Sequence, residues 1–192
     1  MELNKDINYI VSGLERSGTS MLMQMLRTAG VPTAYDRSSR PPDENNPKGY
    51  YELEGGKIIN KLMEKSFPLQ DYKGKFIKIT AYGLKFLPPG AYRIIYSERN
   101  IEEIMDSMEK MTGNQDKNRK ETRELFLKLN EVIKRLIRKR EDTEVLMVNY
   151  NQILDHPDKE IRKICDFLGI SPAKIDEMVN SVDKMLYRER RK

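Results

Sequence analysis

The run Ser12-Gly-Leu-Glu-Arg-Ser-Gly-Thr-Ser20 holds the residue types best spaced for chemistry in this chain. Gly13 and Gly18 have the spacing of a phosphate-cradling loop, but Thr19 stands where that motif carries its lysine. The cradle is made by backbone N–H groups and the positive end of the following helix, and neither depends on the lysine. What is lost is the charge that reaches a γ-phosphate. Arg16, inside the loop, supplies a cation placed differently, which suits a phosphate ester with no γ-phosphate. A second group starts at Arg99, ahead of the helix-like IEEIMDSMEKM. Ser107 is eight residues further on, about 80° around an ideal helix, so the pair can meet one ligand. An arginine fork beside a hydroxyl suits a phosphate monoester. A simple ion pair of Arg99 with Glu102 or Glu103 explains the same residues, and at this level both readings stand.

These groups need elements to hold them. An apolar run at 7–11 precedes the glycine loop and MLMQMLRTAG follows it, which reads as strand, loop, helix. Strands are predicted at 9–12, 76–79, 92–97 and 145–148, and helices starting near Thr19, Gly55, Ile101, Glu121, Asp158 and Pro172. That alternation predicts an α/β protein, three layers α/β/α around a central parallel sheet. Ligands of such sheets bind beyond the carboxyl ends of the strands, where the glycine loop and Arg99 both fall. Ile161, Ile164, Cys165 and Leu168 form one core stripe, and Ile101, Ile104, Met105 and Met108 another. In the helix at 121–139, Leu125, Leu129, Val132, Ile133 and Leu136 are expected inward. Lys134, Arg135, Arg138, Lys139 and Arg140 are expected on an exposed face. Residues 36–49 read as a long loop and 112–122 as a candidate flap.

Composition narrows the function classes. At 192 residues the chain is expected to be one domain over 1–192. The net charge of +5 favours anionic ligands, although part of it lies in the tail at 187–192. That tail reads as a solvated end or a lid over an anionic ligand, since no nucleic-acid signature accompanies it. Cys165 is the only cysteine and His156 the only histidine, which excludes internal disulfides, cysteine-rich zinc sites and paired-histidine metal sites. His156 reads as a loop residue. There is no apolar leader and no run long enough to span a bilayer, so the expectation is a soluble cytoplasmic protein without membrane or nucleic-acid partners.

Four ordered blocks add a resemblance. SGLERSGTSMLMQML, then NPKGYYE (46–52), then RIIYSERN with Ser107 downstream, then VNYNQILDHPDKEIRKICDFLGI closely resemble the sulfotransferase family. The likeness is greatest to its small bacterial and archaeal members, whose Leu-Tyr-Arg tail is matched by Leu186, Tyr187 and Arg188. The resemblance implies a P-loop NTPase-like fold that binds 3′-phosphoadenosine 5′-phosphosulfate (PAPS) and releases adenosine 3′,5′-bisphosphate (PAP), with no metal. It implies that Arg16, Ser17, Gly18, Thr19 and Ser20 hold the 5′-phosphosulfate, that Arg99 and Ser107 hold the 3′-phosphate, and that Arg188 joins the cofactor site. The acceptor would be a hydroxyl or amine on a small molecule or glycan.

The departures matter as much. Many family members place a histidine base where this chain has Thr80, and threonine is no base near neutral pH. Glu52 is the expected base, its pKa raised through desolvation by Tyr50 and Tyr51, with Lys78 as electrostatic partner of the sulfuryl group. Ile101 replaces a proline common in the cofactor motif. Two other readings stay open: a nucleotide kinase or NTPase, and a non-catalytic phosphonucleotide-binding protein. The first lacks its lysine and an acidic residue at the end of the last strand, which reads Asn149-Tyr150. Tyr50, Tyr51, Tyr72, Tyr82 and Tyr92 are candidates for an acceptor wall, most of them expected to serve packing or surface.

Overall fold

The computed structural model describes residues 2–38, 40–186, 189 and 191. The four apolar runs are parallel strands: β1 (Asn8–Gly13), β2 (Phe76–Lys78), β3 (Tyr92–Glu98) and β4 (Thr143–Asn149). They lie in the order β2-β1-β3-β4. Ile10 sits between Ile77 and Ile94 in register, so every residue of β1 is buried. Among the described residues, seven α-helices cover the sheet: α1 (Thr19–Thr28), α2 (Ile58–Met63), α3 (Ile101–Thr112), α4 (Arg119–Arg138), α5 (Tyr150–Asp155), α6 (Pro157–Leu168) and α7 (Ile175–Ser181).

Strand periodicity sorts the core into two layers. Tyr9, Val11, Phe76 and Ile95 face one side, where they pack with α1, α5, α6 and α7. Ile10, Ile77, Ile94 and Tyr96 face the other, against α2, α3 and α4. The chain leaves β1 for β2 on one side, then returns past β1 to β3 on the other. Connections from the carboxyl ends of β1 and β3 therefore diverge and leave a crevice between them. The glycine loop and Arg99 border that crevice.

The stripes on α3 and α6 pack as expected, and Cys165 is buried. The long helix differs. Leu125 and Val132 are 65% and 40% exposed, while Ile133 and Ile137 are buried and Phe126, Leu129 and Leu136 pack beside them. The inward face is rotated from the expected one, and on it Asn130 Oδ1 accepts from the Tyr96 hydroxyl of β3 at 2.7 Å. Lys134 is also not a free surface charge: it pairs with Glu98 at 2.9 Å and Glu131 at 2.7 Å. Arg140 is bound to Asp142 and to the carbonyls of Leu87 and Pro88. The candidate flap is a short connection, 113–118, between the end of α3 and the first turn of α4. Arg119 fixes it by pairing with Glu102, Asp106 and Glu109 of α3. The separate short helix α5 has no counterpart in the sequence reading, and His156 caps the junction from α5 to α6.

Candidate active site

The loop after β1 holds an uncommon backbone. Arg16 has φ 63, a left-handed conformation that costs a non-glycine residue energy. Gly18 has φ 97 at the helix N-cap, and a Cβ there would run into the Tyr150 ring. Ser97 Oγ donates to the Ser17 carbonyl at 2.6 Å, tying the loop to β3. The first N–H groups of α1 have no intrahelical partner, and they point out of this loop with the positive end of the helix. This is a backbone arrangement shaped for an anion.

The side chains add positive charge. Arg16 Nε donates to Ser107 Oγ at 3.0 Å, and Arg99 donates to the Arg16 carbonyl at 2.9 Å. The fork and the hydroxyl thus meet across β1 and β3, but Ser107 is held by Arg16 and not by Arg99. Arg99 precedes α3, so the ideal-helix angle between it and Ser107 does not describe them. Arg99 also pairs with the buried Glu103 at 3.1 Å and stacks its guanidinium over the Tyr150 ring at 4.8 Å. The ion-pair reading of Arg99 is therefore met, with Glu103 as the partner. Burial, together with Arg99 and Arg40, pulls the Arg16 pKa below its usual value against the opposing pull of Tyr50 and Asp43. An arginine remains charged through such a shift, whose largest cause is burial.

Glu52 lies opposite the loop. Its Oε1 accepts from Lys78 Nζ at 2.9 Å and its Oε2 from Arg40 at 2.8 Å. Lys78 is buried and also donates to Ser20 Oγ at 3.2 Å and to the Tyr50 carbonyl. Burial lowers the Lys78 pKa despite the carboxylate beside it. For Glu52, burial pushes the carboxyl up, but Lys78 and Arg40 outweigh it and hold the group below its ordinary value. This corrects the sequence expectation: desolvation is present, yet two cations reverse the net shift. Gly56, at φ 86, leaves room for this carboxylate, because a Cβ there would stand 2.9 Å from Glu52 Oε2.

One cavity of about 280 Å³ collects Arg16, Gly18, Thr19, Ser20, Lys78 and Arg99. Glu52, Ser107 and Thr80 also line it. Ser17 stands apart: its side chain is buried under the loop with Oγ unpartnered, and its N–H is used by the Leu14 carbonyl at 3.2 Å. Arg188 lies outside the described residues. Its neighbours Leu186 and Glu189 reach the cavity wall, with Glu189 paired to Lys110 at 2.7 Å. Arg191 is anchored to Asp106 of α3 at 2.6 Å. Arg40 and Tyr150 are the site residues that sequence reasoning passed over. Arg40 sits in a proline-rich loop with no periodicity to mark it. Tyr150 was visible only as part of the last block. Among the described residues, no group of three or more His, Cys, Asp and Glu side chains is placed to hold a metal ion.

A glycine loop at the head of a parallel sheet between two helical layers, with Arg16 in the loop and Thr19 at the lysine position, defines a P-loop-like α/β/α fold. The sulfotransferase domain model matches residues 6–192, and the chain belongs to that family. Its fold is similar to that of retinol dehydratase in complex with androsterone and PAP, with TM-score 0.59 and 20% identity over 96% of this chain and 66% of that one. It is similar too to the sulfotransferase domain of the Synechococcus PCC 7002 olefin synthase, with TM-score 0.55 and 16% identity over 96% and 77%. A mouse sulfotransferase complexed with PAP gives TM-score 0.54 and 15% identity over 100% and 68%. The chain thus spans about two thirds of retinol dehydratase and of the mouse enzyme. Sequence comparison with curated proteins finds no match.

Proposed function

We propose that this chain, as one domain over 1–192, transfers a sulfuryl group from PAPS to a hydroxyl or amine of a small-molecule or glycan acceptor. The observation that carries this reading is the joining of Arg16, Ser107 and Arg99 across the crevice, beside a phosphate loop that lacks the lysine for a γ-phosphate. PAPS, when bound, supplies a sulfuryl group on a phosphate leaving group. The N–H groups of Gly18, Thr19 and Ser20 and the N-terminus of α1 hold the 5′ end. Ser107 and Arg99 read the 3′-phosphate, which AMP lacks.

The remaining chemistry falls to three side chains. Arg16 and the helix N-terminus face the oxygen on which charge grows as the bond to sulfur breaks. Lys78 bridges the loop at Ser20 and the carboxylate of Glu52, so it places positive charge between them. Glu52 accepts the acceptor's proton as its oxygen or nitrogen bonds to sulfur, leaving the sulfated acceptor and PAP. A carboxylate held low in pKa is fully ionised at neutral pH, although its intrinsic strength as a base is reduced. That Glu52 lines the cavity, and does not turn from it, favours the catalytic reading over a purely binding one.

Two experiments test this. PAP and AMP are titrated by calorimetry, and equal affinities overturn the 3′-phosphate assignment. Glu52→Gln is then assayed with PAPS and a phenol panel, where turnover should fall roughly 10²–10⁴-fold with PAP binding retained. Unchanged turnover makes Glu52 structural. No helix among the described residues is long and apolar enough to cross a membrane. A cytoplasmic site of action belongs to the same proposal and is tested by cell fractionation.

A further inference from the structure

A second cavity, of about 330 Å³, adjoins the first and shares Gln24, Arg40, Lys48 and Tyr50 with it. It lies between the later turns of α1 and the loop that carries Arg37 and Arg40. Arg27, Arg37, Arg40 and Lys48 put four cations on its wall, and no Asp or Glu among the described residues lines it. Arg40 is matched by Glu52 and Lys48 by Asp183 at 3.2 Å. Arg27 and Arg37 have no carboxylate partner among the described residues. The wall therefore carries net positive charge, from two exposed guanidinium groups that no described carboxylate matches.

The rest of the wall is aromatic. Tyr35, Tyr50 and Tyr51 border the cavity, with Tyr35 and Tyr51 tilted together at 4.9 Å between ring centroids. Arg40 lies 3.6 Å from the Tyr50 ring centroid and Arg27 lies 5.5 Å from that of Tyr35. Stacking of this kind holds guanidinium groups in place before a ligand arrives, so less order has to be imposed on binding. Seven residues separate Ser20 from Arg27, which sets the basic end about 10 Å along the helix from the phosphate loop. Arg40 joins the two ends, since it touches the proposed base and faces both cavities.

We propose that this second cavity is the anion subsite of the acceptor. The substrate is then a ring-bearing hydroxyl or amine compound with a carboxylate, sulfate or phosphate about one to two rings from the reacting atom. The tyrosines take the ring and the arginine forks take the anion. This rests on the sulfotransferase reading, so the experiment keeps the two separable.

PAP is titrated first. With PAP saturating, calorimetry compares 4′-hydroxybiphenyl-4-carboxylate with its neutral amide, and 4-nitrophenyl β-glucuronide with 4-nitrophenyl β-glucoside. Each carboxylate should bind about tenfold or more tighter than its neutral partner at low salt. The Arg27→Ala/Arg37→Ala double variant, which leaves the phosphate loop and Glu52 untouched, should erase that preference with PAP affinity unchanged. Binding of neither carboxylate, equal affinity within both pairs, or a preference that survives in the double variant overturns the subsite. Failure to bind PAP overturns the sulfotransferase reading and this inference with it, whereas PAP binding without charge preference overturns this inference alone.

Discussion

Replacing Glu52 by glutamine should cost far more stability than a surface charge would. The Lys78 and Glu52 side chains are 5% and 11% exposed, so their pair is buried. Removing one partner of a buried pair leaves the other charge uncompensated, at about 3–5 kcal/mol. Lys78 keeps two acceptors, Ser20 Oγ and the Tyr50 carbonyl, which places the cost near the lower end of that range. For a chain of this size about 3 kcal/mol lowers Tm by roughly 6–12 °C. Burial already lowers the Lys78 pKa, and loss of the carboxylate lowers it further. A lysine whose folded pKa lies below its unfolded value gives stability that rises with pH between the two, because the unfolded chain binds the proton more readily there. The deficit of Glu52→Gln should therefore narrow as pH climbs toward the ordinary lysine value of 10.5. The assay is thermal denaturation of wild type, Glu52→Gln, Lys78→Met and the double variant from pH 6 to 10. The double variant, which removes both charges, should recover most of the loss. A Tm drop under about 3 °C at pH 7, the scale of a surface pair, refutes the reasoning. So does a double variant no more stable than Glu52→Gln.

Other outcomes follow from the same geometry. PAP at a hundred times its Kd should stabilise the fold by about 2.7 kcal/mol and raise Tm by roughly 5–10 °C, read by scanning calorimetry, whereas AMP at equal concentration should do less. Ser107→Ala should narrow the gap between PAP and AMP affinities by loss on the PAP side only, checked by competitive titration. Gly56→Ala places a Cβ 2.9 Å from Glu52 Oε2 at a φ of 86; turnover should fall about tenfold or more while PAP affinity holds, since a small displacement of a reacting group is costly. Because Lys78 and Arg40 hold Glu52 below its ordinary 4.5, the acid limb of kcat/KM should lie below that pH, and a limb near 6 would contradict the pairing. Transferase activity should persist in EDTA, since the charge it must meet falls on Arg16 and a helix N-terminus.

Local patterns in the sequence determined much of this protein. Near-continuous apolar runs placed all four strands, because a parallel strand covered on both faces buries the side chains on each of them. Gly13 and Gly18 marked the phosphate loop, because only a short glycine-bearing turn lets backbone N–H groups converge at a helix start. Ile161, Ile164, Cys165 and Leu168 showed the inner face of α6 through helical spacing alone. The long helix Arg119–Arg138 did not yield as cleanly. Its apolar stripe is wider than the face that the sheet covers, and only packing against the sheet selects Ile133 and Ile137 as the residues that turn inward. The site shows the same division. Arg16, Glu52, Lys78, Arg99 and Ser107 could be nominated one by one, but their partners come from segments up to 91 residues apart. Which cation meets which anion is set by the crossing of β1 and β3 and by the path of the loop bearing Arg40. The pKa of Glu52 depends on those meetings. Sequence supplied its aromatic neighbours and the upward push of burial; tertiary structure brought Lys78 and Arg40 to its two oxygens and reversed the sign, because charge–charge energy depends on distance in space and not along the chain.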